Sequence, residues 1–89
     1  MGQRWEADPG AGFVRRLGKS SHELGQTSGN ASCPDMWELE NGDVAVIGAD
    51  LTRAYEGRLP DGVSVDPGER LVVVPRATIL AAKADIPDE

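Results

Sequence analysis

Only a few residues of this chain are of types that carry out chemistry in other proteins. They are His22, Cys33 and four carboxylates, Asp35, Glu38, Glu40 and Asp43. A general base needs a partner that orients it, and His22, the only histidine, lies among glycines and small polar residues. Cys33 is the only cysteine. It excludes an intrachain disulfide and favours a reducing compartment. One cysteine and one histidine fall short of the four ligands a structural zinc site takes. Cys33 is therefore expected to be a small structural residue rather than a nucleophile. The four carboxylates would suit a divalent cation if they converged, but the simpler expectation is a solvated sheet face. Gly10-Ala11-Gly12 lacks the spacing and the preceding strand of a phosphate-binding loop. The run Arg15 to Ser21 has the basic context of a kinase substrate, a pattern that is usually incidental. These residues predict no catalytic set, no metal and no cofactor, so the chain is expected not to be an enzyme.

The stretch that must position such residues runs from Met36 to Gly48. Asn41-Gly42 between two apolar runs is a hairpin signal, and a type I′ turn there needs positive φ at both residues. That turn sets a register: Leu39 faces Val44, Trp37 faces Val46 and Met36 faces Ile47. Side chains alternate along a strand, so Trp37, Leu39, Val44 and Val46 should form one apolar face. Glu38, Glu40 and Asp43 should lie on the other.

Downstream, Asp50 is a good helix N-cap, and Leu51, Ala54, Tyr55 and Leu59 make one apolar stripe at helical spacing. Asp66-Pro67-Gly68-Glu69 has the type II turn signature. Arg70 to Val74 should be a third strand, apolar on both faces and therefore covered on both. Pro75 suits a first helical position. Residues 76–84 predict a second short helix with Ile79 and Leu80 as its main apolar contacts, and with Lys83 favourably placed at its C-terminus. The expected fold is a small α+β domain over residues 33–89, order β-β-α-β-α, with a three-stranded sheet and two short helices. Whether the third strand runs parallel to the second is left open.

Residues 1–32 hold six of the eleven glycines and no sustained apolar period. They are expected to form a flexible Gly/Ser-rich arm. Its exception is Phe13 to Leu17, a candidate short strand or docking segment whose basic pair could pack against the acidic remainder.

Charge narrows the partners. The 89 residues sum to −6, and residues 33–89 alone carry five basic and twelve acidic side chains. Such a surface repels phosphates and argues against direct nucleic-acid binding; it suits docking on a basic protein. No apolar run approaches the ~20 residues a membrane helix needs. Arg15-Arg16 is not followed by the apolar core of an export signal, and Met1-Gly2 has Glu6 where a myristoylation site takes Ser or Thr. A cytoplasmic location is expected. Trp37 is expected first as a core anchor and second as an interface hot spot. With Glu38, Glu40, Arg15 and Arg16 it makes up the candidate partner-binding set.

Cys33 to Gly48, followed by Leu71 to Lys83, resembles short uncharacterised actinobacterial proteins encoded beside helix-turn-helix regulators, over about half the chain. Lys19-Ser20-Ser21, Gly29-Asn30, Cys33 and Val44-Ala45-Val46, in that order, are similar to the small BldB / WhiJ-partner family over about a fifth of it. The chain departs from that family at Leu17, where a tryptophan is expected, and at Ile47-Gly48-Ala49, where Arg-Asp-Ser is expected. The resemblance implies a regulatory binding protein, antitoxin-like or a co-regulator, whose partner is a helix-turn-helix regulator, and it brings no catalytic residues. The alternative is an accessory subunit or ligand-binding component of a biosynthetic enzyme pathway, with Cys33 or the acidic hairpin face touching the ligand. A homodimer joined along the hairpin edge is a third expectation. The architecture and the binding reading both lean on Trp37 and Val46 pointing to the same side of the sheet.

Overall fold

Alternating apolar and polar residues over Asp35 to Ile47 produce an antiparallel hairpin in the computed structural model, which describes residues 5–25 and 34–87. Its strands are β2 (Asp35–Leu39) and β3 (Val44–Ile47). The turn differs from expectation by one residue. Gly42 N–H donates to the Leu39 carbonyl at 2.9 Å and Leu39 N–H to the Asp43 carbonyl at 2.9 Å. Gly42 has φ +89, while among the described residues none other than glycine has positive φ. The loop is therefore three residues long, a type I turn closed by a left-handed glycine. Asn41 is not left-handed; its Oδ1 accepts from Asp43 N–H at 3.0 Å, the local backbone bond that Asn readily makes in turns.

A one-residue slip turns every side chain of one strand to the other face. Trp37 pairs with Ala45, and Met36 pairs with Val46. Trp37 and Val46 thus point to opposite sides, and the expected Trp37–Leu39–Val44–Val46 face does not form. One face carries Asp35, Trp37, Leu39, Ala45 and Ile47. The other carries Met36, Glu38, Val44 and Val46.

The third strand of this sheet is β1 (Phe13–Arg16), antiparallel to β2, giving the order β1-β2-β3. A strand from the segment expected to be an arm thus completes the sheet in place of residues 70–74. Charge explains the choice: Arg15 and Arg16 lie opposite Glu38 and Trp37, next to Asp35. An irregularity between Phe13 and Arg15 interrupts the register.

Beyond Gly48 the chain enters a second, two-stranded antiparallel sheet of β4 (Ala49–Asp50) and β5 (Val72–Val73). This corrects the expected third strand. It is two residues long, and Val72 and Val73 are exposed rather than covered. Thr52 Oγ1 takes the Leu71 N–H at 2.8 Å, and Pro75 follows, so the ladder ends at once. The expected helix over 51–59 is a single turn. Asp50 Oδ1 accepts from Thr52 N–H at 3.1 Å, and Tyr55 N–H reaches the Leu51 carbonyl. Gly57, with φ +81, then ends it. The expected turn at Asp66 is present, with Glu69 N–H on the Asp66 carbonyl at 2.9 Å and Gly68 at φ +89.

One α-helix is described, α1 (Arg76–Lys83), with Pro75 as N-cap in extended geometry and Lys83 in the last turn. Its buried residues are Thr78 and Ala82; Ile79 and Leu80 face solvent, against expectation. The reason is proximity. A Cβ on Gly18 would meet Ala82 N at 2.7 Å, and Gly18 has φ +82. Such a crossing admits only the small side of the helix. Leu17, Met36 and Ala82 form the buried apolar cluster there. Among the described residues no helix is long and apolar enough to cross a membrane.

Candidate functional site

β1 is short and basic, and β2 is acidic with one tryptophan, so pairing them builds a compact array of charge and aromatic surface. Arg16 Nε and Nη2 donate to Asp35 Oδ1 and Oδ2 at 2.8 and 2.9 Å, a two-pronged ion pair. The same guanidinium lies over the Trp37 ring, 4.7 Å from its centroid. Phe13 flanks the other part of that ring at 5.5 Å, tilted by 54°. Planar guanidinium suits both partners at once, since it forks onto carboxylate and stacks on an aromatic face. On the opposite face, Arg15 Nε donates to Glu38 Oε1 at 2.8 Å, and its Nη2 donates to the Asp85 carbonyl at 2.7 Å.

Asp35 is buried and Arg16 half-buried. The Arg16 hydrogen bonds hold the Asp35 carboxyl below its ordinary range; burial opposes this, and Trp37 and the Met36 N–H add to it. The same bond holds the Arg16 guanidinium above its ordinary value. At neutral pH the pair is ionised. Charge-assisted hydrogen bonds of this kind contribute about 1.5–3 kcal/mol, whereas the half-exposed Arg15–Glu38 pair contributes up to ~1 kcal/mol.

Of the five candidate partner-binding residues, Arg15 and Arg16 sit on β1, Trp37 and Glu38 on β2, and Glu40 in the β2–β3 loop. Each already has a partner within the chain: Trp37 with Arg16 and Phe13, Glu38 with Arg15, and Glu40 with the Gly12 N–H at 2.8 Å. Trp37 is not the buried anchor expected; it is half-buried between two neighbours of the same face. The four carboxylates weighed as a cation site do not converge, because Asp35, Glu38, Glu40 and Asp43 each accept from a different donor, the last from Trp5 Nε1 at 3.1 Å. Among the described residues no His, Cys, Asp or Glu group is placed to hold a metal. His22 is exposed in a turn. Ser21 is buried, and the Ser20 hydroxyl is bonded to Glu23, so the serines of the basic run are engaged. Cys33 lies outside the described residues.

Sequence reasoning missed Phe13, Asp35 and Asp85 as members of this array. Asp85 Oδ2 accepts the Gly18 N–H at 2.7 Å and ties the end of α1 to the end of β1. Signals existed for Phe13 and Arg16, since Phe13 to Leu17 stands out as the one apolar-basic run of its segment, but the pairing with β2 that reveals Asp35 is long-range.

A concavity of about 440 Å³ lies among the loops around Arg53, Glu56, Asp66, Glu69 and Arg70. Its charges are mixed.

Comparison with family models, with curated proteins and with solved structures finds no match.

Proposed function

We propose that this chain is a non-enzymatic small acidic binding protein that acts as a regulatory partner of a basic protein, such as a DNA-binding transcription regulator. The Trp37–Val46 face cannot support this reading, because the two residues lie on opposite sides. What supports it is how little the chain buries. Among the described residues the buried apolar cluster is Leu17, Met36 and Ala82, while twelve large apolar side chains are exposed. Contiguous apolar surface left open on a small protein marks an interaction site, and the exposed Val44 and Val46 lie side by side on one face of β3. A net charge of −6 selects a basic partner and speeds the encounter.

The experiment is affinity capture with the full chain from its native cell at low ionic strength. The expected result is a basic, helix-turn-helix-type protein that is released as salt rises, because screening weakens such contacts. Recovering no basic protein at low salt overturns the reading.

The reading as a ligand-binding component of an enzyme pathway draws on the 440 Å³ concavity beside Arg53 and Arg70. It requires a pathway activity that falls on replacing Arg53 and Arg70 with Ala; unchanged activity ends it.

A further inference from the structure

β3 is an edge strand, and so is β1, but the two edges are built differently. β1 carries a register irregularity, two arginines and ion pairs to its neighbour. These are the devices that keep an edge from recruiting another strand. β3 reads Val44-Ala45-Val46-Ile47. It has no charge, no proline and no irregularity, and Val44, Val46 and Ile47 are each more than 40 % exposed (41, 41 and 43 %).

Its backbone is half used. The Leu39 N–H to Asp43 carbonyl bond marks that pair as hydrogen-bonded. Antiparallel ladders alternate, so Ala45 and Ile47 give their backbone groups to β2 while those of Val44 and Val46 point outward. Among the described residues no backbone hydrogen bond meets them.

We infer that β3 is the interface of a two-fold homodimer, in which the β3 strands of two copies pair antiparallel and the sheet becomes six-stranded. The sequence of the edge selects a second copy as the occupant. With the axis through Ala45, Val44 lies opposite Val46 of the partner subunit and Asp43 opposite the partner subunit's Ile47. No like charges oppose each other, and the valines of both chains meet on the face that carries Met36. A two-fold contact closes on itself, and the guarded β1 edges stop further growth. This inference does not rest on the proposed regulatory role. Salt separates the two. A dimer of two chains at −6 each tightens as salt screens their repulsion, whereas docking on a basic partner loosens.

The test is sedimentation equilibrium of the full purified chain from about 1 to 500 μM, a range that spans the weak end of small interfaces, at low and high NaCl. The expected result is a monomer–dimer equilibrium that tightens in high salt. Two variants locate it. Val46→Pro removes an outward N–H, and proline is tolerated at such an edge position. Val44→Lys leaves the backbone intact and adds an edge charge. Both should be monomeric throughout, with circular dichroism unchanged. A wild-type chain monomeric at all concentrations and salts overturns the inference. So does a dimer that persists in Val44→Lys, which would use another surface. A third readout is amide exchange in the wild type. Val44 and Val46 should slow about tenfold or more between dilute and concentrated samples; unchanged rates overturn the interface.

Discussion

The β1–β2–β3 layer with α1 and the β4–β5 ribbon with its loops are joined at Gly48 and again at Val74-Pro75, yet they are held by different forces. In the first, register follows from ion pairs and a small buried cluster: Arg16 on Asp35, Arg15 on Glu38, and Leu17, Met36 and Ala82 packed where α1 crosses. In the second, residues 49–74 contain no buried side chain, and exposed or part-buried hydrogen bonds shape it: Asp50 on Thr52, Thr52 on Leu71, Glu69 on Asp66. Strands that reach across the chain require something to offset loop-closure entropy; here charge and packing supply it. The ribbon has no buried packing, its Arg70–Asp50 contact is long and exposed at 4.0 Å, and its strands are two residues each. Local stability should therefore differ sharply between the two regions.

The largest effect is expected at the crossing of β1 and α1. Gly18→Val places a branched side chain at φ +82, where its Cβ would meet the Ala82 backbone at 2.7 Å. Strain and overpacking together should destabilise the first layer by on the order of 2–4 kcal/mol, read from the urea midpoint. The same substitution at Gly62, also left-handed but with nothing within 4 Å, should cost less, since only the backbone term remains. Equal losses at the two glycines would mean that the helix does not seat on β1.

Next is the Arg16–Asp35 pair. Arg16→Met leaves a buried carboxylate without its main partner and should destabilise by about 2 kcal/mol, whereas the double variant Arg16→Met/Asp35→Leu should recover much of that. The pH dependence has a definite sign. Asp35 has a folded-state pKa below its unfolded value. Its contribution is therefore complete above the ordinary aspartate pKa of about 4 and is lost as pH falls through the lower, folded-state value. Wild-type stability should drop with acidification below about pH 4 more steeply than that of Asp35→Asn. Parallel profiles would place the stabilisation elsewhere.

These residues also show what was legible in the sequence. The hairpin was, because Asn41-Gly42 stands between two apolar runs, and so was α1, bracketed by Pro75 and Lys83. The register was not. A type I turn with a left-handed Gly42 uses the same two letters as a type I′ turn, and choosing wrongly moved Trp37 from Val46 to Ala45. Ile79 and Leu80 look like core residues by composition, but a helix crossing a glycine backbone presents its small side, Thr78 and Ala82. The third strand was misplaced for a related reason. Leu71 to Val74 is the more apolar run, but the acidic β2 recruited the basic segment Phe13–Arg16 that complements it. Of the site, Trp37, Glu38, Arg15 and Arg16 were picked from their chemistry; Asp35 was weighed only as a cation ligand, and its pairing with Arg16, like the part played by Asp85, became visible only through contacts separated by 19 and 67 residues.

Arg15→Ala should have a smaller effect than Arg16→Met. Its partners are the half-exposed Glu38 and the Asp85 carbonyl, and exposed pairs contribute up to ~1 kcal/mol. A loss as large as that at Arg16 would show that the tie to the end of α1, rather than the sheet face, holds this layer.

The smallest effect is expected in the ribbon, and it discriminates between two ways of holding a loop. Asp50 is pulled below its ordinary pKa first by the Thr52 hydroxyl, then by the Thr52 N–H; the more distant Arg70, 4.0 Å away, contributes least. Arg70→Ala removes only a long contact between two well-exposed side chains, so global unfolding and amide exchange should both stay as in the wild type. Asp50→Ala removes the acceptor that orients Thr52, whose hydroxyl in turn receives the Leu71 N–H. It should leave the urea midpoint of the first layer unchanged while amides at Thr52 and Leu71 exchange several-fold faster, because local opening draws on local bonds. If Arg70→Ala speeds those amides as much as Asp50→Ala does, the ribbon is held by charge like the sheet, and the contrast between the two regions fails.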